Sequence, residues 1–328
     1  MILAGDIGGT KTVLTLFKKE TDGSLVCERE ETYASADFLE FDELLAAFLP
    51  DGVVLSAVCF GVAGPVLDQR CHPTNLPWIL DAEDLKVKLK VAKVRILNDL
   101  EAMALGMLHL PEKDLLELNP NAQRHAGNIA VIAAGTGLGE AILYWDGVKY
   151  HPLATEGGHC DFAAQNTQQD LLLSYMRRKY NDHVSCERLI SGIGFSHLYD
   201  FLREQQFAPE CPAVPPVNAL FNEGVDRNAI ISRLGVNGED ALCAEAVRLF
   251  AELYGAEAGN LVLKSFAIGG VYIGGGIGPK IRPLLQNGVF MDAFKAKGRF
   301  TALLDKVPVK LSLNPKTPLL GALHYFDD

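Results

Sequence analysis

ILAGDIGGTKTVLTLF, residues 2–17, is an apolar run, a Gly/Thr turn and a second run that alternates and is rich in β-branched residues. NIAVIAAGTGLGEAILYW, residues 128–145, repeats that plan. Each predicts a β-hairpin with a glycine-rich bend. A plan met twice in one chain predicts two related halves, each opening with its own hairpin.

The segments between and after the hairpins fill in an α/β pattern. DFLEFDELLAAFLP (37–50) predicts an amphipathic helix, and VVLSAVCFGVAGPV (53–66) a buried strand with a turn. DAEDLKVKLK (81–90) has acids early and lysines late, as a helix dipole favours. VRILND (94–99) reads as a strand and LEAMALGMLHL (100–110) as a helix. Strands alternating with helices imply a mostly parallel sheet. Later, QQDLLLSYMRRKY (168–180), ERLISGIGFSHLYDFLREQ (187–205) and the long stretch 238–267 read as helices. The proline-rich FAPECPAVPPVNALF (207–221) predicts a surface excursion. GGVYIGGGI (269–277) is a strand ending in glycines, followed by a helix with Pro279 early. PLLGALHYF (318–326) is again helical and is expected to cross back to the first domain.

The chain has 328 residues. At roughly 150 residues per domain, that length suggests two domains. A small α/β domain over residues 1–110, joined by a C-terminal helix near 316–328, and a large α/β domain over 111–315 are expected. A chain of this size buries about three quarters of its unfolded surface and needs no metal or disulfide staple.

Thirty Lys and Arg stand against 41 Asp and Glu, for a net charge of −11, and no basic cluster tracks a nucleic-acid backbone. The acidity argues against nucleic-acid and anionic-membrane partners. It leaves a nucleotide open, since a few aimed backbone amides hold phosphates. The seven cysteines are scattered and odd in number, with no Cys-x-x-Cys pair, which points to reduced thiols in a cytoplasmic protein. MILAGDIGGT lacks the basic and apolar regions of a signal peptide, and no apolar stretch reaches the roughly 20 residues of a membrane span.

In GDIGGT, Gly5, Asp6, Ile7, Gly8, Gly9 and Thr10 form a turn whose successive amides suit an anion. Thr10 adds a hydroxyl, and Asp6 suits a water-mediated Mg²⁺. A tight hairpin needing positive φ is the plainer explanation. The second turn, with Gly135, Thr136 and Gly137, raises the weight of phosphate binding, because two such turns clasp a polyphosphate from both sides. Gly274, Gly275 and Gly276 stand at a strand end before a helix, where α/β folds place ligands. A Walker A loop fails, because Gly9-Thr10-Lys11-Thr12 has an intervening residue. The dinucleotide fingerprint fails on the spacing of Gly135, Gly137 and Gly139.

These turns, with ILND (96–99) and the EGGH of TEGGHCDFA (155–163), resemble the bacterial glucokinases of the sugar-kinase/Hsp70/actin superfamily. The likeness runs from residue 2 to the tail helix. It implies a two-domain actin-like (ribonuclease H-like) fold, ATP over the glycine turns, a hexose in an interdomain cleft, and a homodimer. Domain closure would expel water and limit wasteful ATP hydrolysis. Asn98, Asp99, Glu156, His159 and Glu187 match the family's sugar-contacting positions. Carboxylates and an imidazole suit a ring of hydroxyls, each both donor and acceptor. Taken alone, Glu156 and His159 read more readily as a local surface pair, and Glu187 as a first-turn acid at a helix N-terminus. Asn75 falls where its loop would approach the sugar, or is a polar turn residue beside two prolines.

Asp99 is the candidate catalytic base. Phosphoryl transfer needs a group to take the acceptor hydroxyl's proton, and an aspartate commonly serves. The plainer role, a helix N-cap, is compatible with it. The related repressor/sugar-kinase family carries a zinc-binding cysteine cluster after its Glu-x-Gly-His motif. Here Cys160 is followed by no cysteine until Cys186, so structural zinc is not expected. The expected activity is ATP-dependent phosphorylation of glucose to glucose 6-phosphate. A kinase for another hexose or amino sugar and a non-catalytic sugar sensor stay open, as does polyphosphate as donor.

Overall fold

The computed structural model describes residues 1–73, 76–217 and 226–326. The chain divides into two compact units. Unit 1 comprises Met1–Asp114, Pro152–Ala154 and Asn314–Asp328, and unit 2 comprises Leu115–His151 and Thr155–Leu313.

Unit 1 is built on β1 (Ile2–Ile7), β2 (Lys11–Lys19), β3 (Leu25–Ala34), β4 (Ala57–Val62) and β8 (Val94–Asn98), in the order β3-β2-β1-β4-β8. Between β4 and β8 the chain makes a small sheet of β5 (Val66–Leu67), β6 (Arg70–Cys71) and β7 (Leu80–Asp81). Strand β1 runs antiparallel to β2 and parallel to β4, which is parallel to β8. β2 and β3 are antiparallel. The sheet is therefore mixed rather than mostly parallel, because the opening hairpin contributes pairs of its own. AVCFGV in β4 is buried at every position, as a central strand covered on both faces requires. The edge strand β3 carries Glu28, Arg29, Glu30 and Glu31, charges that discourage pairing with another chain.

Helix α1 (Phe41–Phe48) buries Phe41, Leu44, Leu45 and Phe48, one face at helical spacing. It is shorter than the periodicity predicts, because Ser35–Asp37 forms a separate single turn. Helix α2 (Ala82–Leu89) is capped by Asp81, and α3 (Asp99–Leu108) follows β8 directly. The helix Thr317–His324 packs on α3 within unit 1. A Cβ on Gly106 would overlap the Thr317 carbonyl, and one on Gly321 the Ala102 carbonyl. Only glycine lets these two backbones approach so closely.

The second large sheet is built on β9 (Leu115–Glu117), β10 (Ile129–Ala134), β11 (Leu138–Trp145), β12 (Tyr150–Thr155), β13 (Gly270–Gly274) and β14 (Val309–Ser312), ordered β12-β11-β10-β13-β14-β9. β10 is antiparallel to β11 and parallel to β13, which is parallel to β14. This repeats the β2-β1-β4-β8 plan, so the internal likeness read from the two hairpins is a likeness of topology.

Helices α4 (Thr167–Tyr180), α5 (Gly192–Glu204), α6 (Arg227–Val236) and α7 (Ala241–Ser265) fall between β12 and β13 in the chain. Helix α7 is buried nearly all round and forms the spine of the unit 2 core. Two expectations need correction. α5 starts at Gly192, and Glu187 sits before it in a single turn, Cys186–Arg188. The helix after β13 spans Arg282–Gln286 with Pro283 in its first turn, so Pro279 precedes it. The described part of the proline-rich stretch is largely exposed, as expected of a surface excursion, and two of its residues anchor it. Cys211 and Val214 enter the core, and Pro215 accepts from the buried Arg227, whose guanidinium pairs with Asp200 at 2.7 Å.

Candidate active site

The junction of β8 and α3 is a capping box. The Asn98 Oδ1 accepts the Leu100 amide at 2.9 Å, and Glu101 accepts the Asn98 amide at 3.0 Å. The cap is thus Asn98, and Asp99 is the first helical residue. Asp99 Oδ1 also accepts the Leu100 amide, at 3.0 Å. The Asn98 Nδ2 donates to the Gly64 carbonyl at 3.0 Å, tying the strand end to the loop after β4. The Asn98 Oδ1 is taken up by the cap, and one Nδ2 hydrogen remains for another partner. The Cys71 thiol is pushed up to about 11 by burial and by the negative charge of Asp99. Asn75 lies outside the described residues.

In GDIGGT, Gly5 stands within β1, between Leu14 and Phe60, and a Cβ there would lie under 3 Å from both side chains. Its glycine serves packing. Ile7 is fully buried, and its carbonyl accepts the Ala63 amide at 2.9 Å. The Gly8 amide closes the turn on the Lys11 carbonyl at 3.0 Å, and neither Gly8 nor Gly9 has positive φ. Ser35 supports the turn, donating to the Gly8 carbonyl at 2.7 Å and lying 3.0 Å from the Thr12 hydroxyl. The half-buried Asp6 carboxyl is raised above its ordinary value by burial, against a lowering by Lys11.

In unit 2 the Gly135 amide donates to the Gly137 carbonyl at 2.8 Å, and the Gly135 carbonyl accepts the first amide of α5, Gly192, at 2.8 Å. Gly137 is backed by the Glu187 carboxylate, which accepts the Leu138 amide at 3.0 Å. Gly275 has φ +79° and abuts the Ala134 carbonyl. Gly135 and Gly276, by contrast, face open space where a side chain would be, and Thr136 is exposed.

Glu156 and His159 are exposed on either side of the single turn Gly157–His159, the His159 amide donating to the Glu156 carbonyl at 3.0 Å. His159 Nδ1 lies 4.0 Å from Glu187 Oε1. The structure thus brings Glu187, His159 and the Gly135–Gly137 turn together in unit 2. In unit 1 it brings Asn98 and Asp99 together at one strand end.

Two contributors were not singled out from the sequence. Ser35 braces the first turn from beyond β3, and nothing near it signals this. Glu140, buried on β11, is an acid inside an apolar strand, and that contrast was a readable signal.

Two α/β units, each with a β-hairpin closed by a glycine-rich turn, and a carboxylate at a capped strand–helix junction are the architecture of the actin-like class. The family model described as Glucokinase matches residues 3–328. The glucokinase of Nostoc sp. (strain PCC 7120 / SAG 25.82 / UTEX 2576) is 40% identical over 333 residues, covering 98% of this chain and 97% of that one. The glucokinase of an Antarctic psychrotroph, a solved structure, has a TM-score of 0.84 at 30% identity, covering 99% of this chain and 98% of that one. A ROK family glucokinase from Streptomyces griseus, solved with glucose and AMPPNP, shares the fold at a TM-score of 0.63 and 20% identity, covering 98% and 97%. The chain belongs to the glucokinase family. Members of this family are transferases that phosphorylate glucose. Among the described residues, no helix is long and apolar enough to cross a membrane.

Proposed function

We propose that this chain transfers the γ-phosphoryl group of ATP to the 6-hydroxyl of glucose, with Asp99 as general base. The observation that carries the reading is the division of labour at the β8–α3 junction. Asn98 caps the helix, so the adjacent carboxylate is held at a helix N-terminus, which favours its ionised form. An ionised, oriented carboxylate takes the hydroxyl proton as the oxygen attacks phosphorus.

Asn98, Glu156, His159 and Glu187 accept from and donate to the sugar hydroxyls. Leaving such groups unpaired is what rejects a wrong ligand. Gly9 and Thr10 after β1, Thr136 and Gly137 after β10, and Gly275 and Gly276 after β13 receive the nucleotide. The amides of Gly8 and Gly135 are engaged within their own turns. Asp6 fits a Mg²⁺ held through water, since a nearby cation offsets the cost of a partly buried carboxylate. Bound with ATP, Mg²⁺ would supply charge neutralisation at the phosphates. A cytoplasmic homodimer completes the proposal, and its support is the seven free cysteines and the family likeness.

The test is coupled ADP release over a panel of hexoses and amino sugars, with ATP and polyphosphate as donors. Glucose with ATP should give the highest kcat/KM. Preference for another sugar would reassign the substrate, and sugar binding without ADP release would favour a sensor.

A further inference from the structure

Unit 2 contains an acid that the mechanism does not use. Glu140 follows the glycine turn on β11 and is only 1% exposed. Its carbonyl accepts the Thr155 hydroxyl at 2.8 Å, and that hydroxyl accepts the Gly157 amide at 3.1 Å. Its side chain packs against Gly157. A Cβ there would overlap Oε2 and stand 2.9 Å from Cδ. Oε1 is buried with no hydrogen-bond partner.

The surroundings disfavour a second charge. Glu257 of α7, also buried, takes Lys264 at 3.0 Å on one oxygen, and Asn260 at 2.8 Å and the Cys186 thiol at 3.5 Å on the other. That carboxylate is paired and hydrogen-bonded. An ionised Glu140 would add a buried charge with an orphaned oxygen, which is costly, whereas the neutral acid loses less on burial.

Gly157 opens the turn that presents Glu156 and His159. We propose that Glu140 is a positioning residue, a buried carboxyl that forms the floor under Gly157 and so fixes Glu156 and His159 for the sugar. This rests on the proposed sugar-binding role of those two residues. The effect is pH-dependent. Burial and then the negative charge of Glu257 push Glu140 up to about 7, against a lowering by Lys264. The other groups facing the cluster are the Cys186 thiol, which burial and Glu257 keep protonated, and Lys297, which donates to the Ala256 carbonyl and the Asn260 side chain. His159 and Cys160 lie on the exposed turn itself. Above neutrality the floor gains a charge beside Glu257 and the turn shifts.

The experiment is glucose KM and kcat against pH for the parent, Glu140→Gln, Glu140→Ala and Glu156→Gln, with circular dichroism on each. The parent's glucose KM should climb about tenfold between roughly one unit below and one unit above neutrality. Glu140→Gln, neutral at every pH and nearly isosteric, should flatten that climb with kcat little changed. Glu140→Ala should raise KM throughout. If it fails to fold, the Gln variant still decides. A Glu140→Gln profile that tracks the parent, or a loss confined to kcat, overturns the proposal. Glu156→Gln must itself raise glucose KM. If it does not, the sugar assignment fails first and this inference falls with it.

Discussion

The Glu187 carboxylate accepts the Leu138 amide at 3.0 Å through one oxygen, while its other oxygen stands 4.0 Å from His159 Nδ1. One side chain therefore touches both the end of the Gly135–Gly137 turn and the turn that carries the sugar candidates. Glu187→Ala should raise KM for ATP and for glucose together. Initial-rate kinetics with each substrate varied in turn checks this. A rise for glucose alone would limit Glu187 to the sugar.

Asp99→Asn and Asn98→Ala should separate chemistry from capping. The first should lose roughly 10²–10⁴-fold in kcat while folding stability stays within about 0.5 kcal/mol. The second removes the cap and should cost about 1 kcal/mol, since Asn98 Oδ1 holds the Leu100 amide. Denaturant titration and steady-state kinetics on both variants check the pair. Parental turnover by Asp99→Asn would sink the base assignment.

The glycines after β13 predict opposite outcomes for the same substitution. Gly275→Ala puts a methyl against the Ala134 carbonyl at a φ of +79°, so it should destabilise by more than about 1 kcal/mol. Gly276→Ala meets open space. It should leave the melting temperature unchanged and raise the KM for ATP, which thermal melts and kinetics distinguish.

Two buried groups in unit 2 pull stability in opposite directions with pH. Glu140 is raised from 4.5 to about 7, so the folded state binds its proton more tightly, and stability falls as pH rises through that window. His197 is lowered from 6.5 to about 4 by burial, chiefly, so its contribution is lost as pH falls through the same range. Each amounts to roughly 3 kcal/mol. The two slopes should cancel between about pH 5 and about pH 6.5. Melting temperatures of Glu140→Gln should rise with pH there, and those of His197→Gln should fall.

The hairpins were legible because strand, glycine bend and strand is a local pattern that no tertiary contact has to complete. α3 and α7 were legible for the same reason. The identity of its cap was also written in the sequence, since Asn98 and Glu101 have capping-box spacing, yet the eye goes to the aspartate beside them. Gly5 is different. Its role is set by Leu14 and Phe60, which only strand pairing brings to it. The same holds for Glu187 against Leu138, 49 positions apart in the chain. The proline-rich stretch was legible as exposed chain, but composition says nothing of where its two anchors, Cys211 and Val214, are received.

The close crossing of Gly106 and Gly321 ties the helix bearing Asp99 to a segment translated long after it. On a ribosome, α3 emerges with one flank bare and gains its neighbour only when Thr317–His324 has cleared the exit tunnel. A nascent chain stalled before that point would present its acidic group on an unsupported rod, so competence for catalysis arrives late in synthesis.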